Sequence, residues 1–129
     1  MTAPGPRRPG DDGARVRPFV AGAPVTRVLV TGAGGPAAIA AMRSLGTDPT
    51  VELIAADMDP WAAGLYLVPP GSRTLVPAGA APDFTDVLLA RCREYGVHVV
   101  LPTVDAELRP LAGARATFRA HGIDLLLAP

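Results

Sequence analysis

The chain has 129 residues, 49% hydrophobic and 19% charged, a balance that fits a folded globular domain better than a disordered chain. Twelve basic and twelve acidic residues cancel and are mixed along the sequence, so neither a nucleic-acid patch nor a membrane-surface patch is expected. Every basic residue is arginine, which excludes a P-loop lysine, a Schiff-base lysine and a Tyr-Lys catalytic pair; the single Cys92 excludes an internal disulfide, and no apolar run approaches the ~20 residues of a bilayer span.

Residues 1–24 read as a disordered tail. They are rich in Pro, Gly, Arg and Asp, and only Val16, Phe19 and Val20 are sizeable apolar side chains, too few to offset the entropy of ordering. No apolar stretch follows the early arginines as a secretory leader requires, so a reducing, cytoplasmic setting is the expectation.

Residues 25–129 read as one folded domain in which strands and helices alternate. Val28, Leu29 and Val30 form a short apolar run, expected for a strand at 27–31 covered on both faces. Gly32, Gly34 and Gly35 allow a sharp turn, and Pro36 suits a first helical position. The helix at 36–45 has Ile39, Met42 and Leu45 at helical spacing, with Gly46 as its stop. A second strand at 51–56 ends in Asp57. Residues 60–67 suit a short helix or ordered turn, and 73–76 a brief third strand.

Pro82 or Asp83 opens the next helix, with Phe84, Val87, Leu88, Cys92 and Tyr95 on one face and Gly96 at its end. A fourth strand at 97–101 is closed by Pro102. The final helix is expected at 107–121, with Leu108, Leu111, Arg115 and Phe118. Pro110 is tolerable only in a first turn, so this helix starts late or kinks. Gly122 ends it, and 123–127 suits a fifth strand.

This alternation implies an α/β fold: a Rossmann-like open parallel sheet with helices on both faces. Right-handed crossovers give the strand order 3-2-1-4-5. Ligands of such sheets sit where the order reverses, outside the carboxyl ends of the strands. That rule gathers three segments into one cleft. Thr31, Gly32, Ala33, Gly34, Gly35 and Pro36 leave strand one, Asp57-Met-Asp59-Pro60 leaves strand two, and Pro102-Thr103-Val-Asp105-Ala-Glu107 leaves strand four. The cleft would hold glycine N–H groups and a helix N-terminus, the Thr103 hydroxyl, and the carboxylates of Asp57, Asp59, Asp105 and Glu107.

Each member has a plainer reading. The glycines suit any tight turn, and Asp57 and Asp105 suit turn or helix caps. His98 and His121 lack metal-ligand spacing and read as structural, and Cys92 reads as a small core residue. Trp61 and Tyr66 read as a packing cluster over the second-strand loop.

Three motifs together resemble one family. Val-Leu-Val-Thr-Gly-Ala-Gly-Gly-Pro36, Ala-Ala-Asp57-Met-Asp59-Pro-Trp61-Ala-Ala-Gly-Leu-Tyr66 and Leu-Pro-Thr103-Val-Asp105-Ala-Glu107-Leu are similar to the N-terminal domain of ATP-grasp ligases, in particular those like the carbamoyl-phosphate synthase large subunit. The resemblance spans residues 25–129. It implies a parent enzyme that uses ATP and Mg²⁺ to activate a carboxylate as an acyl phosphate, which an amine or similar nucleophile then attacks. It also implies that residues 31–36, Asp57, Asp59, Thr103, Asp105 and Glu107 line the substrate side, and that no catalytic residue lies in this chain. The family's ATP-binding lysines and acidic Mg²⁺ ligands lie beyond this domain. A lysine-free chain ending at Pro129 therefore reads as a truncated product, a split-gene half or a fragment, inactive alone.

Two other readings compete. Gly32-Ala-Gly-Gly-Pro-Ala-Ala38 partly matches a dinucleotide fingerprint, and Asp57 stands near a ribose-binding acid's spacing, as in an NAD(P)-binding reductase or epimerase domain. Alternatively the chain is a non-catalytic subunit that docks on a separate ATP-grasp chain. Carboxylates flanking glycine N–H groups suit a zwitterion, so an amino-acid-like substrate is expected.

Overall fold

In a computed structural model the described residues are 24–128. The segment read as a tail, 1–24, lies outside them except for its last residue.

Five parallel strands form one sheet: β1 (Thr26–Val30), β2 (Val51–Asp57), β3 (Arg73–Leu75), β4 (Val99–Leu101) and β5 (Asp124–Leu125). Their order is β3-β2-β1-β4-β5, as the crossover rule requires. Three helices connect them: α1 (Pro36–Leu45), α2 (Phe84–Tyr95) and α3 (Asp105–Ala120). Two 3₁₀ turns, Ala63–Leu67 and Pro70–Ser72, replace a helix between β2 and β3.

The two-residue period of β1 and β2 divides the core. Val28, Val30, Leu53 and Ala55 face α1, through Ala38 and Met42, and the first 3₁₀ turn, through Leu65. Leu29, Ile54 and Ala56 face α2 and α3, through Phe84, Leu88, Leu111 and Phe118. Cys92 belongs to this second layer, where burial pushes its thiol up to about 12.

The last two strands are shorter than the sequence suggests, because their first residues close the helices before them. Gly96 takes the left-handed conformation (φ 64°), and the Val97 N–H donates back to the Cys92 carbonyl. Gly122 (φ 74°) and Ile123 repeat the arrangement against Phe118. The final helix starts at Asp105, two residues before its expected start, and continues through Pro110 in its second turn. Its first turn carries Asp105 and Glu107, favourably placed against the positive end of the helix dipole.

Candidate functional site

A cleft of about 180 Å³ opens at the carboxyl rim of the sheet. Gly32 lies at the end of β1, Asp57 and Met58 at the end of β2, and Val104, Ala106 and Glu107 at the opening of α3. The fourth wall is the β3–α2 connection, from Val76 to Ala80. The strand order accounts for this convergence, since β2, β1 and β4 are consecutive neighbours and all their carboxyl ends share one rim.

Thr31 joins the two central strands to the last helix and is fully buried. Its hydroxyl donates to Glu107 Oε1 (2.5 Å) and accepts the Thr103 N–H (3.1 Å). The Thr103 hydroxyl returns a bond to the Thr31 carbonyl (2.8 Å). Gly32 threads between these groups with φ +61°. A Cβ there would stand 2.5 Å from Thr103 Oγ1 and 2.6 Å from Val104 Cγ2, so only glycine fits.

Glu107 is 4% exposed and borders the cleft. Burial, and after it the Asp57 charge, raise its carboxyl above the ordinary carboxylate range; the Thr31 bond and the Val104 backbone pull it back. Among the described residues, the cleft wall thus holds two carboxyls and no arginine or histidine.

The glycine loop turns three of its N–H groups inward. Ala33 N–H donates to the Ala56 carbonyl, Gly35 N–H to the Gly32 carbonyl, and Gly34 N–H to Asp57 Oδ2 at 2.9 Å. The Ala33 carbonyl accepts the N–H of Gly64, which packs so closely that a Cβ there would stand 2.1 Å from it. Asp57 Oδ1 takes the Asp59 N–H as well, so this carboxylate braces both the loop and its own turn. Of the loop donors expected to meet an anion, those of Ala33, Gly34 and Gly35 are therefore spent inside the protein. Pro36 is the first residue of α1 and has no N–H to offer.

Of the residues selected from the sequence, Gly32, Asp57 and Glu107 line the cleft, and Thr31 and Thr103 support it from behind. Ala33, Gly34, Gly35 and Pro36 do not line it. Asp59 points its Oδ1 at the Trp61 N–H and shapes the turn after β2. Asp105 is exposed at the start of α3 and is not part of the wall. Met58, Val76–Ala80, Val104 and Ala106 were missed. They are small or apolar; Met58, Val104 and Ala106 lie inside the segments assigned to the cleft, and the only signal for 76–80 was that β3 also ends at this rim.

Trp61 is 81% exposed and covers nothing, contrary to the packing expected of it. Tyr66 is exposed too; its hydroxyl donates to the Pro60 carbonyl, and its ring lies 4.5 Å from the Arg73 guanidinium.

The profile of the PylC-like N-terminal domain matches residues 28–126. The chain belongs to this family. It is thus an ATP-grasp-associated N-terminal domain, and the match runs from within β1 to just past β5 and takes in the whole cleft. A search of curated proteins gives no match. Among solved structures, the PylC-like domain is similar to a dTDP-glucose 4,6-dehydratase from Bacillus anthracis, determined in complex with NAD, with 17% identity and a TM-score of 0.50. The alignment covers 78% of this chain and 36% of the dehydratase, so the chain spans about a third of that protein's length. At this identity the likeness shows a shared Rossmann-like fold and nothing about ligands.

The chain has no lysine, and the described residues contain no group of three His, Cys, Asp or Glu side chains able to hold a metal ion. No helix among them is long and apolar enough to cross a membrane.

Proposed function

We propose that this PylC-like domain is the substrate-binding N-terminal part of an ATP-dependent carboxylate ligase of the ATP-grasp kind, with chemistry like that of the carbamoyl-phosphate synthase large subunit. ATP and Mg²⁺ are handled by a lysine-bearing ATP-grasp domain or chain that works beside it, in the cytoplasm. There a carboxylate becomes an acyl phosphate and an amine or similar nucleophile displaces the phosphate. This chain contributes the cleft and no reacting group.

One observation carries the reading: a cleft at the point where the strand order reverses, walled by Asp57 and Glu107 with no cationic side chain among the described residues, in a chain of this family. Such a wall favours a ligand with a protonated nitrogen, since the part-buried Asp57 and the buried Glu107 both gain from a positive partner that replaces lost water. We place the ammonium of an amino-acid-like substrate between Asp57 and Glu107, with its carbon chain against Met58, Val76 and Val104. The substrate's carboxylate then faces outward, towards the ATP-grasp partner, because the N–H groups of Ala33, Gly34 and Gly35 are already bonded within the protein.

The test is a thermal-shift panel on the purified chain. Amino acids and simple amines raise Tm, whereas dianionic and uncharged acids of equal size do not. Stabilisation by the acids alone would sink the proposal. Mg²⁺-dependent ADP release by the isolated chain would equally refute the division of labour.

A further inference from the structure

The two faces of the sheet are covered unequally. On one face α2 and α3 cover all the longer strands, and Leu29, Ile54, Val100 and Leu125 are buried beneath them. On the other face α1 and the first 3₁₀ turn lie over β1 and β2. There Val99 and Leu101 of β4 lean against that layer and stay part-exposed. No described helix lies over β5 on this face. Ile123, Leu125 and Leu127 pack into the α2–α3 layer, so Asp124 and Leu126 between them are turned the other way. Leu126 is 55% exposed, and Asp124 is exposed with no ion pair among the described residues.

The uncovered half-face has a definite chemistry. Strand pairing sets Val99 beside Asp124, and the Leu126 N–H continues the ladder by donating to the Val100 carbonyl. Val99, Leu101 and Leu126 thus form an apolar strip with one carboxylate at its edge. Parallel strands are ordinarily buried on both faces by a second layer. A cover for this strip must be apolar at its centre and cationic beside Asp124.

Residues 14–23 have that composition. Val16, Phe19 and Val20 are flanked by Arg15 and Arg17, and no acidic residue lies between 13 and 23. The segment joins the sheet at β1, whose neighbour is β4 and whose second neighbour is β5. Two strand spacings are about 10 Å, whereas the stretch from Phe19 to Val25 reaches about 20 Å when extended, so Phe19 can stand over Leu126. Three apolar side chains are too few to build a core of their own, but on a preformed apolar surface they gain by burial at once.

We infer that residues 14–23 dock on the β4–β5 half of the α1 face. Val16, Phe19 and Val20 meet Val99, Leu101 and Leu126, and Arg15 or Arg17 pairs with Asp124. The segment then completes the second layer of its own domain. This inference is independent of the amine-binding reading of the cleft.

The test compares the full chain with its variant Val16→Ser/Phe19→Ser/Val20→Ser, which leaves every described residue in place. NMR of the full chain should show NOEs from the Phe19 ring to the methyl groups of Leu101 and Leu126. The variant should melt about 5 °C lower. Mixing differently isotope-labelled chains separates contacts within a chain from contacts between chains. NOEs found only between chains would give the face to a second copy and overturn the inference. A Phe19 ring that touches neither leucine overturns it as well, and so does a variant whose Tm equals that of the natural chain.

Discussion

The loop after β1 and the opening of α3 lie on the same rim and look alike in sequence, since each follows a strand and starts a helix. Their polar groups are used in opposite ways. In the loop, Ala33, Gly34 and Gly35 all donate inward, and Asp57 takes the Gly34 N–H. At the start of α3, the buried Glu107 carboxyl borders the cleft. The segment with the more familiar ligand-binding pattern is a latch between strands, while the one that resembles an ordinary helix start places a buried carboxyl on the cleft wall. A motif indicates which groups are near a cleft; the hydrogen-bond accounting indicates which of them remain available.

Substitutions can break or sharpen this contrast, and the largest effect is expected where the two segments touch. Gly32→Ala forces an L-residue into φ +61° and drives a Cβ into Thr103 and Val104. A loss of about 3 kcal/mol is expected, from left-handed strain plus overpacking. Urea unfolding measures it, and a loss below about 1 kcal/mol would mean that the junction is looser than described.

Asp57→Ala removes the acceptor of both the Gly34 and Asp59 N–H groups. About 1–3 kcal/mol of stability should go, with faster amide exchange at Gly34 and Asp59. Unchanged exchange there would show that the loop does not depend on this latch.

Glu107→Gln probes the other segment through pH. The folded carboxyl is raised above its ordinary 4.5, by burial first and by the Asp57 charge after it, so the folded state holds its proton more tightly than the unfolded state. This group's contribution therefore becomes less favourable as pH rises from about 4.5 through the folded value. The glutamine variant keeps an acceptor for Thr31 and lacks this slope. The gap between the urea midpoints of variant and natural chain should widen in favour of the variant from about pH 5 towards neutrality. Parallel curves would place the Glu107 carboxyl in ordinary solvent.

The smallest effect is expected outside both segments. Trp61→Ala should change stability by less than about 0.5 kcal/mol, because the side chain is 81% exposed. Trp61 is the chain's only tryptophan, so its emission in the folded protein should already be that of a hydrated indole. A blue-shifted spectrum would place it against another surface.

The sheet could be read from the sequence because its code is local. Val28, Leu29 and Val30 followed by Gly32 and Pro36 specify strand, turn and helix within ten residues, and the handedness of crossovers then orders the strands. The boundaries that shifted did so for tertiary reasons. Val97 and Ile123 close helices before they can extend strands, and α3 starts ahead of Pro110 because its first turn docks Glu107 under Thr31. The wall from Val76 to Ala80 was illegible, being small and apolar with no chemical signature; it joins the cleft only because β3 pairs with β2.

The sequence by itself determined the alternation of elements, the parallel order of the strands and the rim on which a cleft must open, since periodicity and chain chirality act over short spans. Only the tertiary structure decided which polar atoms there are spent and which remain free. The partners that consume them lie far away in sequence, 23 residues between Gly34 and Asp57 and 76 between Thr31 and Glu107, and no local pattern encodes such a meeting.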